Sequence, residues 1–158
     1  MGLQDREYYR DDRTDEFRLE TMSVIVRIIV VTIGVFLFDL VFGQSRFLIQ
    51  NEFLSCSRET LLQPWKCWQL LTSGFAHANV GHLFFNMVSL YFFGRELEYH
   101  VGKRELATFY LVAVVTGSLT FCIKQLFDGG SGSALGASGA VMAVIILFCL
   151  KFPLVPIL

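Results

Sequence analysis

Apolar residues in this chain come in long unbroken runs rather than at the alternating or three-and-four spacing of half-buried elements. The first run, VIVRIIVVTIGVFLFDLVF from Val24 to Phe42, is 19 residues long, and a helix needs roughly 20 residues to cross a bilayer. A polar stretch precedes it: residues 1–23 hold four arginines and seven acidic residues. Further apolar segments follow at about Asn79 to Phe93, Leu106 to Phe127 and Leu135 to Leu150, and another begins at Pro153. The pattern predicts an all-α polytopic membrane protein, with a polar N-terminal segment over 1–23 and a membrane domain over 24–158. That domain would hold four membrane helices and the start of a fifth.

The first run is a poor secretory signal, because it begins late and has no small-residue cleavage site. Arg27 near one end can snorkel to the interface, and Asp39 near the other can do likewise or pair inside a bundle. The connection from Gly43 to Ala78 is long and amphipathic, with FLIQNEFL and PWKCWQLLTSGF. It suits the membrane interface, with Trp65 and Trp68 at headgroup level.

Composition strengthens the membrane reading: 54% of the residues are hydrophobic, 15% aromatic and only 17% charged. A formal charge of −1 without a basic patch sets nucleic acid aside as a partner. With the N-terminus on the cytoplasmic side, nine lysines and arginines fall on that side and four on the other, the asymmetry of the positive-inside rule. The acidic leader lacks the Arg-rich, acid-poor composition of a mitochondrial targeting sequence. The expectation is therefore a bacterial inner membrane with the N-terminus cytoplasmic.

Cys56 and Cys67 lie in the first connection and are candidates for a disulfide, while Cys122 and Cys149 lie in apolar runs and read as small buried hydrophobes. No cysteine pair has metal-ligand spacing. His77 and His82 lack the third ligand and the HExxH glutamate of a zinc site. Neither a metal nor a cofactor is expected.

Two polar clusters remain inside the apolar part. In FAHANVGHLFFNMVSLYFFG, His82 and Asn86 are four apart and share a helix face. Such residues at membrane depth are costly and turn to a bundle interior or a wet cavity. They serve either as interhelical glue or as part of a site. The second cluster is LGASGAVMAV, where Ser138 stands at the start of an apolar segment. A serine there lies beside the unpaired N–H groups and positive dipole end of a helix, donors suited to an oxyanion. Gly136 and Gly139 leave room for a substrate backbone or a neighbouring helix, and the preceding DGGSGSALGA must be sheltered by protein or water.

From about Pro64 to the end, the chain resembles the rhomboid intramembrane serine proteases. Trp68-Gln69 stands where that family often has Trp-Arg. His77, His82 and Asn86 match its second-helix motif, Gly94, Glu98 and Gly102 its glycine–glutamate–glycine turn, and Gly136 to Ala140 its nucleophile motif. The resemblance implies a rhomboid-like helical bundle in which Ser138 is the nucleophile, attacking a peptide bond in or near a transmembrane segment of a protein substrate. His82, Asn86 and the Ser138 N–H would bind the oxyanion, His77 would support the mouth of the site, and Glu98 would anchor the turn. Gln69 in place of arginine bears on loop anchoring alone. His100 has no family counterpart and reads as an interface histidine.

The family's base histidine belongs to a sixth membrane helix. The histidines here are 77, 82 and 100, all before Ser138, and Lys151 falls at the opposite membrane face. A serine without a base is a weak nucleophile. The chain stops in KFPLVPIL, so the expectation is the N-terminal portion of a longer protease. A pseudoprotease that binds transmembrane helices without cleavage, and an unrelated scaffold or transporter, are the alternatives. Small residues at Ala113 and Gly117, and at Gly139 and Ala143, mark helix-packing faces. The Gly139 face is expected to be uncovered in this chain. The oligomeric state is not legible in the sequence.

Overall fold

A computed structural model describes residues 22–42 and 53–153. Among them are the α-helices α1 (Val24–Phe42), α2 (Arg58–Leu62), α3 (Gln69–Thr72), α4 (Val80–Val101), α5 (Lys103–Asp128) and α6 (Ser138–Lys151), with 3-10 turns at Pro64–Lys66 and Ser73–Phe75. No strand occurs among the described residues, and the sheet-like pairing is a lone antiparallel bridge between Cys56 and Ala134.

The all-α architecture agrees with the hydropathy pattern. By length and composition, α1 and α5 can each cross a membrane, and α6 is a shorter apolar helix. At 14 residues α6 spans about 21 Å, less than the roughly 30 Å of bilayer hydrocarbon. Arg95, Glu96 and Glu98 interrupt the apolar run of the 22-residue α4. The expected fifth segment falls almost wholly on residues 154–158, outside the described ones.

α4 is the spine of the bundle. Leu83, Met87, Leu90 and Leu97 on its buried face pack with Leu106, Tyr110 and Val114 of α5 and with Val141, Val144 and Phe148 of α6. The ring of Phe93 meets that of Phe148 edge-on at 5.2 Å between centroids. α1 adds Ile25, Ile28 and Phe36 to the same core, while Val30, Val31, Phe38 and Val41 stay exposed. An apolar outer face of this extent has lipid as its ordinary surroundings. Asp39 is turned inward and buried, so it does not snorkel.

Two residues fix where α1 lies. The Glu98 carboxylate accepts hydrogen bonds from the backbone N–H groups of Val24 at 3.0 Å and Ile25 at 3.3 Å, and from the Ser23 hydroxyl. It therefore caps the start of α1 from another helix, supplying acceptors to N–H groups that have none within α1. One turn before it, a Cβ at Gly94 would stand 2.7 Å from Ile25 Cδ1, so the absent side chain sets the approach of the two helices. Gly102, at φ +96, then turns the chain from α4 into α5.

The first connection is anchored through Gln69. Its amide donates to the Phe53 carbonyl at 3.3 Å and accepts from the Thr60 hydroxyl at 2.8 Å, and the Trp68 indole reaches the same carbonyl at 3.4 Å. The glutamine does the anchoring that was in question for it. Trp65 and Trp68 are exposed, as interfacial residues would be; residues 43–52 of this connection lie outside the described ones. The candidate disulfide does not form. Cys56 is a buried free thiol and Cys67 an exposed one; the Cys56 thiol lies beside that of Cys122 on α5 and donates to the Ala134 carbonyl at 3.6 Å. The spacing of two cysteines in one loop carries no information about a partner on α5.

Candidate active site

Ser138 is the first residue of α6, and Ala137 (φ −71°, ψ −6°) caps it without a side-chain bond. The first backbone bond at this end runs from Val141 N–H to the Ala137 carbonyl at 2.9 Å. The N–H groups of Ser138, Gly139 and Ala140 thus lie ahead of the helical ladder, where a helix leaves its donors unpaired. Ser138 itself is exposed.

The loop that delivers Ser138 is held from four directions. Cys56 and Ala134 exchange backbone bonds of 3.0 and 2.8 Å, and Gly136 N–H donates to the Ser73 carbonyl at 2.8 Å. Gln125 of α5 donates to the Gly132 carbonyl while accepting from Arg58 N–H at 3.0 Å. Finally, Ala137 N–H donates to His77 Nε2 at 3.4 Å. Gly136 has φ +112, and a Cβ there would lie 2.5 Å from His82 Cε1 and 2.8 Å from its Nε2. Only glycine satisfies both that backbone geometry and that contact.

Both motif histidines therefore reach the serine loop. Their rings meet edge-on with centroids 5.0 Å apart. His77, in the connection before α4, is fully buried. Burial first, then the charge of a protonated His82, lower its pKa from 6.5 to about 4, against an upward pull from a hydrogen bond with the Phe75 backbone. His77 is thus a neutral ring whose Nε2 is an acceptor. Asn79 caps α4, accepting from His82 N–H at 2.8 Å, and so fixes where the His82 ring emerges.

Asn86 is buried, but among the described residues its amide bonds the His82 carbonyl at 2.9 Å, one turn back on its own helix. The sequence reading missed Ser73 and Ser118, whose hydroxyls meet at 3.0 Å. They line a cavity of about 170 Å³ together with Gly117, Leu135, Ser138 and Gly139. Among the described residues a Cβ on Gly139 or Gly117 would meet nothing within 4 Å, so those residues leave the face of α6 beside Ser138 uncovered. His100 lies apart on the last turn of α4, bonded to the Glu96 carbonyl at 2.9 Å and meeting the Phe152 ring edge-on at 4.7 Å between centroids. No cluster of metal-ligating side chains occurs among the described residues.

The serine that opens α6 thus sits at the end of a glycine loop that meets His77, in the connection before α4, and His82, on the first turn of α4. Residues 64–158 match the Rhomboid domain family. This chain belongs to the rhomboid family. It is 29% identical over 143 residues to RHOMBOID-like protein 12, mitochondrial, of Arabidopsis thaliana, covering 82% of this chain and 41% of that protein. Over 108 residues it is 32% identical to RHOMBOID-like protein 6, mitochondrial, of the same plant, covering 60% of this chain and 35% of that one. The human Presenilin-associated rhomboid-like protein, mitochondrial, is 32% identical over 87 residues, 55% of this chain and 23% of its own length. The chain spans less than half the length of these curated relatives.

The relatives correct the expected location. All three are mitochondrial by name, which overturns the assignment to a bacterial inner membrane. Lys and Arg asymmetry orders the two faces of a bilayer and carries no information about which membrane it is. The composition of residues 1–23 was asked to decide more than it contains.

Proposed function

We propose that this rhomboid acts as a serine endopeptidase in a mitochondrial membrane, cleaving a peptide bond in or near a transmembrane segment of a protein substrate. The observation that carries the proposal is the placement of Ser138 on the first turn of α6, with its loop seated on His77 and packed against His82. In this reading Ser138 Oγ attacks the scissile carbonyl. The negative charge that develops on the carbonyl oxygen is met by the Ser138 N–H and by His82, with Asn86 as a further donor once its amide turns from the His82 carbonyl. Donors fixed in advance at such a position lower the barrier by stabilising charge as it forms. His77 acts as a positioning residue: neutral, buried and bonded to Ala137 N–H, it holds the loop that aims Ser138.

The proton of the serine hydroxyl has to leave as the new C–O bond forms, and a base must take it. His77 and His82 are committed to the loop side of Ser138. The open Gly139 face is where an imidazole completing the dyad would dock. A second reading, a pseudoprotease that binds transmembrane segments without cleaving them, is favoured by one observation: the Asn86 amide is engaged by the His82 carbonyl on its own helix at 2.9 Å.

Co-expression with a transmembrane substrate, read by gel shift, separates the two. Endopeptidase activity predicts cleavage that Ser138→Ala abolishes and that Asn86→Ala slows by roughly 10²-fold or somewhat less, since other donors remain. Substrate that co-purifies intact with both wild type and Ser138→Ala would establish the pseudoprotease instead. The 158-residue chain by itself is expected to resist labelling by serine-directed phosphonates, and a labelled Ser138 would mean that a base is already in place.

A further inference from the structure

Two thiols meet where the first connection, α5 and the loop before Ser138 come together. Cys56 of the connection and Cys122 of α5 are both fully buried, and their sulfurs are neighbours. The other two cysteines, Cys67 and Cys149, are exposed. A second contact shows how these segments run past each other. Arg58 N–H donates to the Gln125 side chain at 3.0 Å, and Ser57 between Cys56 and Arg58 is extended. The chain from Cys56 to Arg58 therefore runs alongside the turn of α5 from Cys122 to Gln125. Two extended residues cover about 7 Å and three helical ones rise about 4.5 Å, so the two tracks stay close at both ends. On its other side Cys56 exchanges backbone bonds of 3.0 and 2.8 Å with Ala134, and its thiol donates to the Ala134 carbonyl at 3.6 Å. Ala134 stands four residues before Ser138.

We propose that Cys56 and Cys122 form a reversible disulfide that ties the first connection, and through Ala134 the loop before Ser138, to α5. The inference does not depend on whether Ser138 cleaves a substrate. The bond joins residues 66 positions apart and closes a covalent ring that contains His77, His82 and Asn86. A cross-link stabilises chiefly by restricting the unfolded chain, and more so for a longer loop. The oxidant is a small disulfide of the glutathione class. Cys56 lies outside any helix, whereas Cys122 is within α5, so local opening of the lone Cys56–Ala134 bridge frees Cys56 first. Its thiolate attacks one sulfur of the oxidant and expels one thiol. The Cys122 thiolate then attacks the Cys56 sulfur of the mixed disulfide and expels the second. Two cysteine thiols are oxidised, one disulfide is reduced, and the two protons end on the released thiols. The Ala134 carbonyl keeps the Cys56 N–H as a donor when the thiol proton is gone. A dithiol or excess reduced glutathione runs the same steps backwards.

The test is to equilibrate the 158-residue chain in detergent with mixtures of oxidised and reduced glutathione, quench in acid, alkylate, and map the cysteines by peptide mass spectrometry. The expected product is a Cys56–Cys122 link, in preference to any pair that includes Cys67 or Cys149. The oxidised protein should melt about 5–10 °C above the reduced one. Its Ala134 and Gly136 amide hydrogens should exchange about tenfold more slowly, because the bridge opens less often. Cys122→Ser should abolish both the link and the melting difference. The double variant Cys67→Ser, Cys149→Ser leaves the buried pair untouched and should behave as wild type, so it carries the test if Cys122→Ser folds poorly. Four outcomes would each overturn the proposal: both buried thiols still alkylated after oxidation, Cys56 held as a glutathione mixed disulfide, Cys56 linked to Cys67, or a linked protein that melts like the reduced one.

Discussion

A single imidazole, His77, carries the loop that presents Ser138, and it can do so in one protonation state only. Its Nε2 accepts the Ala137 N–H; protonation would set two donors against each other. The sign of the resulting pH dependence follows from its lowered pKa. An unfolded His77 takes a proton near pH 6.5, whereas the folded one resists until about pH 4. Above pH 6.5 both states are neutral and His77 makes stability independent of pH. As pH falls from 6.5 towards 4 the unfolded state binds the proton first, so the fold loses stability across that window. In micelles the His77 ring resonances should titrate with a midpoint near 4. In addition, His77→Gln, which keeps an acceptor but has no proton to gain, should lessen the drop in melting temperature between pH 7 and pH 4.5. A midpoint at the ordinary histidine value would mean that the ring is neither buried nor bonded as described.

At the scale of elements, the position of α1 depends on α4 far more than on α1's own sequence. Among the described residues its outer face has no protein neighbour to hold it, so the Glu98 cap and the Gly94 contact locate it. Glu98→Ala removes an ionised acceptor from three donors and should cost about 2 kcal/mol in an unfolding titration. Glu96→Ala, at an exposed neighbour, should cost a few tenths. Equal effects would show that α1 is held by lipid and apolar packing alone. This cap also marks the limit of what the sequence carries. The bounds of α1 were legible because polar residues frame a continuous apolar run, and the start of the serine helix because a glycine loop ends there. The continuation of α4 beyond Phe93 was not legible, because RELEYH reads as a polar loop; it stays helical because Glu98 is satisfied by a residue stretch 74 positions away. The contact of His77 with Ala137, 60 positions apart, leaves no periodic trace either. The motif resemblance brought these residues into one site, but it could not tell which atom meets which.

Across the whole molecule, two glycines at helix surfaces have opposite surroundings, and the contrast gives a test of how the bundle is completed. Gly94 is closed in: any side chain collides with Ile25 at 2.7 Å. Gly139 is open among the described residues, with nothing within 4 Å of where its Cβ would be, on the rim of the cavity that Ser138 lines. Gly94→Leu should therefore destabilise the 158-residue chain by overpacking, about 1–3 kcal/mol. Gly139→Leu should leave its melting unchanged to within about 0.5 kcal/mol. In a co-expression assay that shows Ser138-dependent cleavage the order reverses in meaning. Gly139→Leu should abolish cleavage without unfolding the protein, because it fills the face on which the proposed base and the substrate must approach, while Ala143→Gly, one turn further in, should have little effect. Loss of stability in Gly139→Leu would mean that the face is already covered. Wild-type cleavage in that variant would mean that nothing needs to dock there, and the general base would then have to be sought among His77 and His82.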